Sequence, residues 1–201
     1  MAWNAISIAI APTKIKKSTS TYVAIPFASK ASAQTMEWEH VVAASTIGQR
    51  RVCWKALLNG KAGGRKHCSR TDPSYANAEG NLVNLVPLVG KINSDRQNFR
   101  YALWADTPVP MYGRCQTIID FQRGRIQPHK ETRGRISRIQ FYMSERYDLP
   151  LSKEDKRVLC VWAQAYPIDQ WERLRDQRIQ AIQGSGNHFV TDENATKAFC
   201  Q

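Results

Sequence analysis

The sequence predicts an α+β fold: short strands and basic loops in the first two thirds, and a helical C-terminal part. Three observations carry this reading. Short β-like stretches bounded by turn residues recur up to about residue 121. Apolar residues at 3.6 spacing and helix-capping pairs fill the last third. The chain has 201 residues, 42% hydrophobic and 23% charged, which suits one domain with a buried core and argues against wholesale disorder.

Residues 1–35 are rich in Ser, Thr and Ala and hold no acid. They read as a leader or a poorly specified N-terminal segment, with a short strand possible at Thr21 to Phe27. Ala31-Ser32-Ala33 has the form of a signal cleavage site, but Lys14, Lys16 and Lys17 interrupt the segment before it. Residues 36–201 form the domain proper. Trp38 to Val42 reads as a strand entering a turn. Gln49 to Arg70 holds Arg50, Arg51, Lys55, Lys61, Arg65, Lys66 and Arg70 without one acid, and reads as a basic loop region. Asn81 to Leu88 is β-like. Lys91 to Tyr101, opening after Gly90, reads as a helix, and Thr117 to Phe121 as a strand. Phe121 to Arg138 is again basic, with Glu131 its one interior acid.

Ile136, Ile139, Met143 and Tyr147 then fall on one helical face. Ser152 with Asp155, and Asp169 with Glu172, have the form of capping boxes. Gly184 is the natural C-cap of the second of these helices. Phe141, Tyr142, Trp162 and Trp171 read as core, and His129 and His188 as surface residues.

Twenty-nine Lys and Arg against 17 Asp and Glu leave a net charge of +12. That surplus points to a polyanionic partner, nucleic acid or an anionic surface. No amphipathic cationic helix and no long apolar run is present, which argues against a membrane protein. The cysteines at 53, 68, 115, 160 and 200 include no C-x-x-C pair, so the strong zinc and redox signatures are missing. Their wide spacing suits disulfides in an oxidising compartment. Cys53 and Cys68 flank a Gly- and Lys-rich stretch and are expected to pair. Cys115 and Cys200 either pair with each other or stand as orphans. Cys160, in the apolar run Arg157 to Trp162, reads as a small hydrophobe.

Chemistry concentrates in three segments. Glu37-Trp38-Glu39-His40-Val41-Val42 sets a carboxylate, a hard oxygen donor, beside an imidazole that titrates near neutrality. Both side chains serve one site only if the strand ends or bends there. In Gly90-Lys91-Ile92-Asn93-Ser94-Asp95-Arg96-Gln97, a helix puts Asn93, Arg96 and Gln97 on one face, where Asn93 offers a carbonyl oxygen and Arg96 can reach a phosphate or pin a carboxylate. Gly63-Gly64-Arg65-Lys66-His67-Cys68 offers a guanidinium from a glycine-rich stretch.

These segments, in this order, resemble the endonuclease I family of bacterial periplasmic and secreted nucleases, within the His-Me finger (ββα-metal) superfamily. The similarity continues through Arg51 to Trp54, Asn84 to Pro87, Tyr112 to Cys115, Arg133 to Tyr147, Trp171-Glu172 and Asn187 to Val190. The resemblance implies a His-Me finger ββα-metal core. It implies His40 as general base, Glu39 and Asn93 as ligands of one Mg²⁺ (or Ca²⁺ or Mn²⁺), and Arg65 as the phosphate clamp. Lys66, Arg96, Arg50 and Arg51 are expected on the nucleic-acid backbone. The implied activity is non-sequence-specific cleavage of double- and single-stranded DNA, and of RNA, to 5′-phosphate ends, by a periplasmic or secreted monomer. The alternative is an inactive basic nucleic-acid-binding protein. The sequence departs from the family at Asn81-Leu82-Val83-Asn84, where Asp-x-His-Asn is usual, and at Ala43, where proline is usual. The family's cysteine-bearing N-terminal region has no counterpart in residues 1–35.

Overall fold

The computed structural model describes residues 35–58, 60–105, 109, 111–113 and 115–201. The strand expected at Thr21 to Phe27 lies outside them. The architecture is α+β, as expected. Strand β1 (Met36–His40) is followed by short helices α1 (Ala44–Gly48) and α2 (Val52–Lys55), and by a hairpin of β2 (Leu57–Leu58) and β3 (Lys61–Ala62). Helices α3 (Gly64–Thr71) and α4 (Pro73–Glu79) lead through a 3-10 turn at Leu82–Asn84 into β4 (Leu85–Val89) and α5 (Gly90–Arg96). Then come β5 (Arg100–Tyr101), β6 (Ile118–Asp120) and β7 (Arg125–Gln127). Five helices close the chain: α6 (Arg133–Tyr147), α7 (Lys153–Ala165), α8 (Gln170–Gln183), α9 (His188–Thr191) and α10 (Glu193–Cys200).

β1 and β4 pair antiparallel, with His40 opposite Leu85 and Glu39 opposite Val86. Pro87 is tolerated because, among the described residues, β4 pairs only with β1. A separate three-stranded sheet has the order β5-β7-β6. The main core gathers around α6. Ile139, Phe141, Tyr142 and Met143 are buried there with Val41, Tyr75, Val83, Trp162 and Phe189. Ile136 and Tyr147 pack against it, so the face expected from their spacing is the packed one. A smaller cluster of Ile92, Tyr112, Ile119 and Ile126 lies between α5 and the three-stranded sheet.

The capping signatures are realised. The Ser152 hydroxyl accepts the Asp155 N–H at 3.0 Å, and the Asp169 carboxylate accepts the Glu172 N–H at 2.7 Å. Gly184 ends α8 in the left-handed region at φ 79°.

Four expectations need correction. The Gln49–Arg70 stretch is two short helices with a hairpin between them rather than a loop. Two of its cations, Arg51 and Arg65, find acids outside the stretch, Asp72 and Glu79, which a local charge count does not see. The helix opening at Gly90 ends at Arg96, where Gln97 turns to φ 52°, and Arg100–Tyr101 is strand. Cys160 is not a free hydrophobe: it is bonded to Cys200, and Cys115 is the free thiol among the described residues. Nor is Phe121 to Arg138 as basic in the fold as its composition reads. Arg123 and Arg125 pair with Asp120, Arg135 with Asp169, and buried Arg138 grips Glu172 at 2.8 and 2.6 Å. The expected Cys53–Cys68 disulfide is present, with Cα atoms 5.0 Å apart. No helix among the described residues is long and apolar enough to cross a membrane.

Candidate active site

Strand alternation puts Glu37 and Glu39 on one face of β1, and α5 packs on that face. Two side chains of α5, three residues apart, meet them as two rungs. Asn93 Nδ2 donates to Glu37 Oε2 at 2.8 Å, and Arg96 Nη1 donates to Glu39 Oε1. Gly90 makes the close approach possible. A Cβ there would sit 2.7 Å from Glu37 Oε1 and 2.7 Å from Thr35 Oγ1.

Arg96 also ends the strand. Its guanidinium donates to the His40 carbonyl and the Val41 carbonyl, each at 2.7 Å, and lies over the Tyr101 ring. Beyond it Asn84, fully buried, accepts the Val42 N–H at 2.7 Å and donates to the Val42 carbonyl at 3.0 Å. The chain therefore leaves β-pairing at His40, as a shared use of Glu39 and His40 requires. The expectation that Arg96 contacts nucleic acid is corrected: it is 3% exposed and committed to three acceptors inside the protein.

His40 is half-buried. Its Nε2 lies 2.9 Å from the Glu79 carbonyl oxygen. A carbonyl only accepts, so in the neutral ring Nε2 carries the hydrogen and Nδ1 keeps the lone pair. Burial lowers the imidazole pKa, and the Arg65 and Arg96 charges push the same way, against the Glu79 carbonyl bond and carboxylate. Near pH 7 the ring is therefore neutral, with Nδ1 able to accept a proton.

Glu79 also engages Arg65. Its Oε1 accepts from Arg65 Nε, and its Oε2 accepts the Ser69 hydroxyl at 2.6 Å. One residue thus fixes both side chains, His40 through its main chain and Arg65 through its carboxylate. Arg65 remains 59% exposed, open to a substrate. Sequence reasoning missed Glu79 in this role. It also left Glu37 without one, although Glu37 orients the Asn93 amide.

Glu39, His40, Arg65, Asn93 and Arg96 line one cleft of about 380 Å³, with Trp38, Gln97 and Asn98. An adjoining hollow shares Trp38, His40 and Arg65 and continues over Lys66 and Arg70. Lys66 and Arg50 are exposed, as backbone contacts must be. Arg51 is placed otherwise. It pairs with Asp72 at 3.0 Å and donates to the Ile47 carbonyl, so it fastens α1 and α2 to the start of α4.

Among the described residues no group of three His, Cys, Asp or Glu side chains could cage a metal. The donor set here is sparser. Arg96 holds one oxygen of Glu39, and Glu37 takes the amide nitrogen of Asn93, which leaves the Asn93 carbonyl oxygen as its free donor. Burial raises the Glu39 pKa, a preference that Arg96 opposes. Two hard oxygen donors with room for water suit Mg²⁺, which keeps much of its hydration shell.

A family model described as Endonuclease I matches residues 11–194. The chain belongs to the endonuclease I family. It is 40% identical over 159 residues to an extracellular deoxyribonuclease of Aeromonas hydrophila, covering 79% of this chain and 66% of that protein. It is 40% identical over 161 residues to Endonuclease-1 of Buchnera aphidicola subsp. Acyrthosiphon pisum (strain APS), covering 80% and 61%. A periplasmic deoxyribonuclease of A. hydrophila is 39% identical over 159 residues, with 79% and 64% covered. The chain thus spans less than two thirds of the length of each of these endonuclease I relatives.

Proposed function

We propose that this chain is a metal-dependent endonuclease that hydrolyses phosphodiester bonds in DNA, and in RNA, with little sequence preference. The observation that carries the reading is the meeting of a neutral imidazole, an exposed guanidinium and two oxygen donors around one cleft. On this reading β1, β4 and α5 are the ββα-metal core.

His40 Nδ1 takes a proton from water, and the water oxygen attacks phosphorus. The bond from phosphorus to the 3′ oxygen breaks, and that oxygen takes a proton from solvent water, leaving a 5′-phosphate and a 3′-hydroxyl. Arg65 holds the non-bridging oxygens as their charge grows, and Glu79 keeps the guanidinium aimed. Glu39 and Asn93 would hold one Mg²⁺ (or Ca²⁺ or Mn²⁺), which supplies Lewis-acid stabilisation of phosphate charge when bound. Glu37 sets the Asn93 amide so that its carbonyl faces away from the carboxylate. The disulfides and the names of the relatives support a periplasmic or secreted location. Neither strandedness nor a partner subunit enters the scheme, so a monomer acting on single and double strands satisfies it.

The test is cleavage of end-labelled duplex DNA and RNA, with analysis of the product ends. The proposal expects fragments at many positions carrying 5′-phosphates. Binding without cleavage in the presence of Mg²⁺, Ca²⁺ or Mn²⁺ would favour an inactive binding protein instead.

A further inference from the structure

A second basic hollow lies away from the cleft. On α7, Lys153, Lys156, Arg157, Cys160 and Gln164 recur at helical spacing and form one face. Lys197 of α10 and Arg173 of α8 reach the same hollow, of about 850 Å³. No Asp or Glu is among the residues lining it, and none of those residues lines the catalytic cleft.

Four cations of this hollow differ from many arginines of the fold in having no carboxylate partner among the described residues. Arg51, Arg65, Arg96, Arg100, Arg123, Arg125, Arg135 and Arg138 each hold a carboxylate. Lys153, Lys156, Arg157 and Lys197 make no salt bridge among the described residues. The acids nearest Lys153, Lys156 and Arg157 in sequence, Glu154 and Asp155, are taken by Arg100. Lys156 lies over the Phe199 ring at 5.1 Å, which places its charge without neutralising it. The walls do not yield to the repulsion between these cations, because the Cys160–Cys200 disulfide ties α7 to α10 within the hollow. Four clustered cations, three of them exposed, with no carboxylate partner among the described residues suit an external polyanion. A concave groove fits a phosphate backbone better than a flat bilayer, and Lys153 and Arg157, one turn apart, are separated by about 6 Å along the helix.

We propose that this groove is a second binding site for the nucleic-acid backbone, gripping phosphates outside the cleavage position. The proposal rests on the nuclease reading for the identity of the polyanion. Its test uses the full chain with disulfides intact and the triple variant Lys153→Gln/Arg157→Gln/Lys197→Gln. Binding to a 40-base-pair duplex is measured in the His40→Ala background, so that it does not depend on cleavage. The expected result is at least a tenfold loss of affinity near 0.1 M salt. The slope of log K against log salt should shrink by about 2.7, at about 0.9 per phosphate contact. With His40 intact, KM on long DNA should rise while cleavage of a tetranucleotide, which fills only the cleft, stays unchanged. Unchanged affinity and slope overturn the proposal. So does a parallel loss on the tetranucleotide, which would mean the charges act through the fold. Loss of binding to phosphatidylglycerol vesicles with DNA binding intact would assign the groove to a membrane surface instead. If the unmodified protein cleaves nothing but duplex binding still depends on these cations, the nuclease reading fails and the groove stands.

Discussion

Replacing Arg96 by alanine separates a structural arginine from a phosphate-binding one. The Arg96 side chain is 4% exposed, and its guanidinium donates to the Glu39 carboxylate and to two main-chain carbonyls. Its removal leaves the Glu39 carboxylate, 9% exposed, without a cation, and costs the His40 and Val41 carbonyls a donor. Breaking one side of a buried pair costs about 3–5 kcal/mol. With a urea m-value of about 2–3 kcal/mol/M, a loss near 4 kcal/mol moves the unfolding midpoint down by about 1.5 M. Arg96→Lys should recover only part of this, because one ammonium cannot reproduce the fork that meets three acceptors. The assay is urea unfolding of Arg96→Ala and Arg96→Lys, followed by fluorescence. A midpoint within about 0.3 M of the parent, with a tenfold loss of DNA affinity, would refute the reasoning and restore Arg96 to the substrate face.

Other consequences follow from the same network. The His40 pKa is lowered in the folded state, so kcat/KM should rise with pH through a value below about 6.5 and be flat at neutral pH. Because the unfolded chain binds that proton more readily, this group's contribution to stability should be full above about pH 6.5. It should fall as pH drops through the folded pKa, readable as a declining Tm. Glu37→Ala frees the Asn93 amide at an exposed position. It should raise the Mg²⁺ concentration for half-maximal rate about tenfold or more while moving stability by less than about 0.5 kcal/mol, measured by metal titration and thermal unfolding. Removing the Cys160–Cys200 bond as a double serine variant should cost up to about 4 kcal/mol, from the chain-entropy cost of a 40-residue loop, measured by urea unfolding.

What the sequence made legible was local. Helix caps, the apolar face of α6 and the C-cap at Gly184 are set by residues within a turn of each other, and each is where its spacing put it. The residues of the cleft were legible through the family resemblance, and the structure brings Glu39, His40, Arg65 and Asn93 to one place. What stayed hidden travels through long range and main chain. His40 reaches a carbonyl 39 residues away, and the residue type at Glu79 says nothing about that bond. Arg96 carries the same side chain as a surface arginine. Its burial follows from α5 packing on β1, and no local pattern records that packing. The basic stretches misled for a related reason: Asp72, Glu79 and Glu172 answer charges that lie well away in sequence. Cys160 sat in a core-like helix, and its partner lies 40 residues on.

Relaxation of supercoiled plasmid tests the central claim most directly. The unmodified protein, His40→Ala and the unmodified protein with EDTA are compared at neutral pH, with DNA affinity measured in parallel. The account predicts nicking by the unmodified protein with Mg²⁺ and none with EDTA. It predicts a loss of about 10²-fold or more in His40→Ala, with DNA affinity nearly unchanged. Equal nicking by His40→Ala and the unmodified protein would contradict it, because the account gives the proton transfer from water to His40 alone.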